Sequence, residues 1–169
     1  METLDAIMTR RSIRNYSNKK VTEEQVRKIL KAAMFAPSAR NQQPWHFIVT
    51  SNKDIFSVIN KIHPYSLMLK EAQVAILTCA DEELEKSKDY WPIDCAAASQ
   101  NILLAAHDLG LGAVWLGVYP RKERMEGLRE LFNLPGNVHP FSIISIGYPA
   151  SVPDQPDRFL EDRIHFEKW

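Results

Sequence analysis

The hydrophobic positions change period several times along the chain. Leu4, Ile7 and Met8 fall at helical spacing and predict a first helix that runs into the basic stretch RRSIR at 10–14. Thr22, with Gln25 three residues on, reads as a capping box. Behind it Val26, Ile29, Leu30 and Ala33 make the apolar stripe of a second helix that should stop at Pro37. HFIVTS (46–51) and VAILTC (74–79) are short β-branched runs that predict strands, and Ile55, Val58, Ile59 and Ile62 mark a helix between them. Residues 93–110 are apolar nearly all round, which predicts a helix buried on most sides, at a domain centre or a subunit interface, with Gly110 as its C-terminal cap. GAVWLGV (112–118) reads as a strand, Met125, Leu128, Leu131 and Phe132 as a short helix, and FSIISIG (141–147) as the last strong strand. After Pro149 the chain turns polar and proline-bearing yet ends in apolar and aromatic residues, so this segment must lie on something.

Composition narrows the choices. At 169 residues and 45% apolar content, one globular domain over 1–169 is expected, burying roughly 70% of its unfolded-chain surface. Lys plus Arg (21) balance Asp plus Glu (21), so no overall basic field exists to follow a nucleic-acid backbone. No apolar run approaches the roughly 18 residues of a membrane span, and no signal-peptide pattern is evident, which together lead to an expectation of a cytoplasmic protein. Cys79 and Cys95 are the only cysteines and read as core thiols rather than zinc ligands.

Two stretches carry candidate chemistry. The cluster Arg10, Arg11, Ser12 and Arg14 is local, and fits a solvated helix end, a nucleic-acid contact or the seat of one anionic ligand. The loop APSARNQQPWHF (36–47) holds Ser38, Asn41, Gln42 and Gln43 between Pro37 and Pro44, offering groups that donate and accept at once, which suits either water or the edge of a heteroaromatic ring. GLGAVWLG (110–117) is not a dinucleotide fingerprint: Trp115 stands where the third glycine belongs, and the run follows a helix and precedes a strand. Cys95 and His107 lie too far apart on one helix to form a thiol catalytic pair, and no G-x-S-x-G elbow occurs. His46 and His107, flanked by apolar residues, read as satisfied core histidines. HPYSLMLKEAQ (63–73), with His63 and Tyr65, is the most plausible pocket wall.

RRSIR, APSxxNxQPWHF, NILLAAHDLGLGAVWLG and DRFLEDRIHFEKW, in that order and at these separations, resemble the nitroreductase family of flavin enzymes over essentially the whole chain. The resemblance implies an α+β fold, a mixed and mostly antiparallel sheet with helices on both faces, assembled as an intertwined homodimer with FMN at the interface and residues 150–169 packed on the partner. It puts Arg10 and Ser12 at the FMN phosphate, Arg11 near the phosphate or ribityl chain, and Arg14 at the pyrimidine edge, where its charge favours the reduced flavin. Arg158 resembles the late phosphate ligand, with Arg163 as a second ligand or a surface charge. Pro37, Ser38, Asn41 and Gln43 resemble the loop that reaches the flavin from the partner subunit, and Trp115, Leu116 and Gly117 the segment along the ring. The implied activity is hydride transfer from NADH or NADPH to FMN, then two electrons to a small conjugated electrophile such as a nitroaromatic or quinone, in a ping-pong cycle. A flavin carrier for sensing or storage, and oxygen-dependent or dehalogenating chemistry, remain alternatives on the same scaffold. No metal, nucleic-acid or membrane partner is expected. The chain is short and shows no excursion from the core that would build a lid.

Overall fold

The computed structural model describes residues 1–169, in five helices and four strands. In chain order these are α1 (Thr3–Thr9), α2 (Glu23–Met34), β1 (Trp45–Thr50), α3 (Lys53–Ile62), β2 (Val74–Asp81), α4 (Trp91–Asp108), β3 (Gly112–Gly117), α5 (Lys122–Phe132) and β4 (Val138–Gly147). The sheet runs β1-β2-β4-β3 with every neighbouring pair antiparallel. The one parallel element is an isolated bridge from Ser12 to Ala113, which makes the sheet mixed at its β3 edge.

Both faces of the sheet are covered. On one, α2 and α4 pack through Val26, Ile29, Cys95, Ala98 and Ile102 onto Ile76, Ile144 and Ile146. On the other, α3 and α5 bring Phe56, Ile59 and Leu128 onto Leu77, Leu116 and Ile143. Alternation along each strand assigns successive side chains to opposite faces, which is why the central strands β2 and β4, covered on both, are buried almost end to end, Thr78, Ser142 and Ser145 included.

The helix ends obey the local chemistry. Thr22 accepts from Gln25 N–H at 3.2 Å and Gln25 Oε1 accepts from Thr22 N–H at 3.0 Å, the reciprocal capping box. α2 ends at Met34, before Pro37, because the residue preceding a proline disfavours helical backbone. Asn52 caps α3 by accepting from Asp54 N–H at 2.8 Å. α4 starts with Pro92 in its first turn and is followed by Gly110 at φ +72, in the left-handed region. Within one chain α4 buries a single face, Asp94, Cys95, Ala98, Ser99, Ile102, Leu103 and Ala106; its other sides are half-exposed, and Ile93 is exposed. Residues 151–169 are exposed throughout and cross the surface with one short 3₁₀ turn, Glu161–Arg163. No helix is long and apolar enough to cross a membrane.

Candidate functional site

The basic stretch leaves α1 and lies against the β3 edge of the sheet. Ile13 N–H donates to Ala113 O at 3.0 Å, and Ser17 N–H to Tyr148 O at 2.9 Å. Two glycines permit that approach: a Cβ on Gly112 would meet Ile13 Cγ2 at 2.6 Å, and one on Gly147 would meet the Tyr16 ring at 2.8 Å. Tyr16 is buried, and its hydroxyl donates to Ile13 O at 2.8 Å or Ser145 O at 3.1 Å, while burial pushes its pKa up to about 12. Arg11, Ile13 and Tyr16 therefore turn inward, whereas Ser12 and Arg14 are exposed and Arg10 is half-buried. Extended backbone puts positions 10, 12 and 14 on one face, with about 13 Å from the first to the last.

Arg10 and Arg11 differ sharply. Arg11 is buried and spends its donors on backbone: NH1 to Met8 O at 3.0 Å and Arg10 O at 2.6 Å, Nε to Asp154 O at 3.4 Å. Its NH2 has no partner, and neither has Arg10 Nε, although both atoms are buried. Burial first, then Arg158 and Arg11, hold the Arg10 pKa below its ordinary value. Arg158 thus returns from the far end of the sequence to the same field. None of the three forms a salt bridge with a carboxylate. A cavity of about 650 Å³ opens between α1 and the final segment, lined by Met8, Arg11, Asp157, Arg158 and Phe159 among others; Arg163 does not line it. Like charges gathered around orphaned donors are unfavourable alone and are relieved by an anion, and a phosphate group meets guanidinium geometry bidentately.

His107, on the last turn of α4, is half-buried and satisfied by Thr9 Oγ1 at 2.8 Å. Burial, Arg10 and Arg11 hold its pKa below the ordinary 6.5, with Asp108 opposing them. His46 corrects the expectation of a core histidine: β1 is an edge strand, Trp45 points in, and His46 points out, 4.0 Å from Asp81. His63 is buried and braces the end of β3, its Nε2 lying 3.0 Å from Gly117 O, while Tyr65 is 72% exposed. Cys79 and Cys95 are buried free thiols, as expected, and burial pushes the Cys79 pKa up to about 12.

The second stretch, Pro37 to Gln43, sits at the opposite end of α4. Asp94 Oδ1 accepts from Ala39 N–H at 2.9 Å, and Asp94 Oδ2 accepts from Gln42 Nε2 at 2.6 Å. Gln42 Oε1 in turn accepts from Lys86 N–H at 2.8 Å and Ser87 N–H at 2.9 Å. Sequence reading grouped Gln42 with the outward amides; it is the buried one, and Asp94 was missed because nothing local marks a carboxylate in a helix as a loop anchor. Ser38 is half-buried and its Oγ accepts from Gln43 N–H at 3.0 Å, while Pro37, Asn41 and Gln43 are exposed. Arg40, Asn41 and Gln43 all hold positive φ, at 48°, 52° and 48°. Such backbone costs of order 1 kcal/mol or more per residue and persists where surrounding contacts impose it.

Trp115 and Leu116 lie on β3, Trp115 half-buried toward the α2/α4 face and Leu116 buried toward the α3/α5 face, and Gly117 ends the strand with open space beside it. After the Ser12–Ala113 bridge the chain runs to Tyr16, which bridges Pro149 and packs on Gly147 beside the first residue of β3, and Arg14 lines a surface cleft with Ser12 and Ser151. The structure therefore brings Arg10, Arg11 and Arg158 into one field, with Ser12 and Arg14 exposed on the adjoining stretch beside β3. It holds Pro37, Ser38, Asn41 and Gln43 away from them: Asp94 and His107, which mark the two ends, are about 20 Å apart along α4.

The model of the Nitroreductase family matches residues 7–85 and 56–148. A Methanothermobacter thermautotrophicus protein, provisionally named an NADH dehydrogenase/NAD(P)H nitroreductase, is 56% identical over 169 residues, covering 100% of this chain and 88% of the relative. A crystal structure from Parabacteroides distasonis, of a protein with the same provisional name, superposes with a TM-score of 0.95 at 38% identity, covering 99% of this chain and 98% of that one. A provisionally assigned nitroreductase from Desulfovibrio desulfuricans, solved in complex with FMN, gives a TM-score of 0.85 at 34% identity, covering 100% and 99%. The chain, matched by the family model over most of its length, belongs to the nitroreductase family.

Proposed function

We propose that the protein is an FMN-dependent oxidoreductase that takes reducing equivalents from NADH or NADPH and delivers them to a small conjugated electrophile. The observation that carries this reading is the convergence of Arg10, Arg11 and Arg158, none of them in a salt bridge, with buried Arg10 Nε and Arg11 NH2 left without partners. That donor set fits a phosphate dianion, and no adenosine-binding motif accompanies it, which favours FMN over FAD. Arg10, Arg158 and the Ser12 hydroxyl would hold the phosphate, with Arg11 contributing its one free amino group. Arg14, exposed on the same stretch, would set a fixed positive charge toward the ring end, and Trp115, Leu116 and Gly117 would line it. Bound FMN supplies hydride acceptance and two-electron donation, in two half-reactions that share one site. The chain's part is binding, orientation and a fixed electrostatic field.

We place the loop residues Pro37, Ser38, Asn41 and Gln43 in the site of a second copy. One ligand cannot span the length of α4 within a chain, and the exposed apolar side chains point the same way: Phe35 is 78% exposed, Phe159 70% and Phe166 86%. A homodimer in which each site takes arginines from one chain and amides from the other accounts for both. The buried unpaired thiols suit the reducing cytoplasm. The test is direct. Purified protein should be yellow and release FMN on denaturation, and the bound flavin should bleach with NADH or NADPH and recover its colour on addition of a quinone or nitroaromatic. A protein that ignores added FMN defeats the reading, and one that binds FMN without turnover is a carrier.

A further inference from the structure

Asn41 and Gln43 are held by an internal framework rather than by each other. Neither side-chain amide is hydrogen-bonded within the chain, and both residues sit in left-handed backbone, with Arg40 beside them. Underneath, the buried Asp94 carboxylate, 3% exposed in the first turn of α4, receives Ala39 N–H and Gln42 Nε2. Gln42 spends its other end on Lys86 N–H and Ser87 N–H, so its amide cannot turn over without losing both. The inner layer is hydrogen-bonded at both ends, and the Asn41 and Gln43 side-chain amides above it have no partner.

We infer that Asp94, acting through Gln42 and the Ala39 peptide, is the positioning residue that preorganises Asn41 and Gln43 to hydrogen-bond the ring edge of a flavin. The inference rests on the functional reading above. It separates the site into a phosphate end fixed by guanidinium groups and a ring end fixed by a loop whose strained backbone is imposed from α4. An amide in place of the carboxylate would have to turn its NH2 toward Ala39 N–H or Gln42 Nε2, both donors, so the loop would lose one tether.

The experiment compares FMN with riboflavin, which keeps the ring and lacks the phosphate. Asp94→Asn should weaken both flavins by the same factor, about tenfold, measured as dissociation constants on the folded fraction. Arg10→Ala should weaken FMN and leave riboflavin unchanged. Gln42→Met serves as the second variant, since it removes the same tether without touching the helix start, and it should reproduce the equal loss. Equal flavin affinities in wild type and both folded variants overturn the inference, as does a loss confined to FMN. A wild type that binds neither flavin overturns the functional reading and this inference with it.

Discussion

Thr9 Oγ1 lies 2.8 Å from His107 Nε2, so the last residue of α1 is fastened to the last turn of α4 beside the arginine cluster. Burial, then Arg10 and Arg11, hold the His107 pKa down, and Asp108, itself 3.0 Å from the Met1 ammonium, pulls it up. An anion seated on the arginines offsets their repulsion. Addition of FMN or of inorganic phosphate should therefore raise the His107 pKa, read from its imidazole signals in an NMR titration, with protons taken up on binding below neutral pH. An unchanged titration would place the anion elsewhere.

Arg10→Ala and Arg14→Ala should differ in kind. The first removes charge-assisted phosphate contacts worth about 1.5–3 kcal/mol, so FMN affinity should fall roughly ten- to a hundredfold. The second should leave more of the affinity but make the flavin potential more negative and slow reduction by NAD(P)H at saturating FMN, because a positive charge at the ring end favours the reduced state. Potentials and stopped-flow rates of both variants check this. A potential shifted by Arg10→Ala and untouched by Arg14→Ala would reverse the two ends.

His63 gives a stability prediction. Burial and Arg124 hold its folded pKa below the ordinary 6.5, so the unfolded chain binds the extra proton first as pH falls. Its contribution is intact above about 6.5 and is lost as pH drops through that value toward the folded pKa. Protonation also costs the acceptor at Nδ1, which receives Tyr65 N–H at 3.2 Å. His63→Gln should flatten the acid side of the stability profile measured by denaturant unfolding between pH 7 and 5. A profile as steep as the wild type's would assign the loss to other groups.

The elements were legible where a local rule sufficed. The Thr22–Gln25 capping box, the stop of α2 ahead of Pro37 and the glycine at φ +72 after α4 follow from neighbouring residues alone. The face of a side chain was harder. Gln42 and Gln43 are adjacent and chemically identical, yet one is buried against Asp94 and the other exposed, because an aligned carboxylate far along the sequence decides it. His46 escaped for the same kind of reason: it lies at the start of an edge strand with a neighbour on one side only, and residue type does not reveal the edge. The association of Arg158 with Arg10 has no local signal at all, and only the family resemblance brought it forward.

Residues 150–169 bring Arg158 to the cationic field and carry Phe159, Leu160, Ile164, Phe166 and Trp169 exposed along the surface. Truncation before Asp157 should lower FMN affinity, through loss of Arg158, and should weaken self-association, through loss of that apolar area. Fluorescence titration and analytical ultracentrifugation read the two effects separately. A truncated protein that binds FMN and sediments as the full chain does would remove this segment from the site.

The composite site is tested most directly by mixing two defective proteins. Arg10→Ala breaks the phosphate end, and an Asn41→Ala, Gln43→Ala double variant breaks the ring end; each alone should bind FMN weakly. If each site takes arginines from one chain and amides from the other, unfolding and refolding the two together should yield mixed dimers with one wild-type site and one doubly broken site. Titration with FMN should then show tight binding at one site per mixed dimer. Mixed dimers confirmed by mass spectrometry that gain no tight site would contradict the account, since that result requires both ends of the ligand to be held by a single chain.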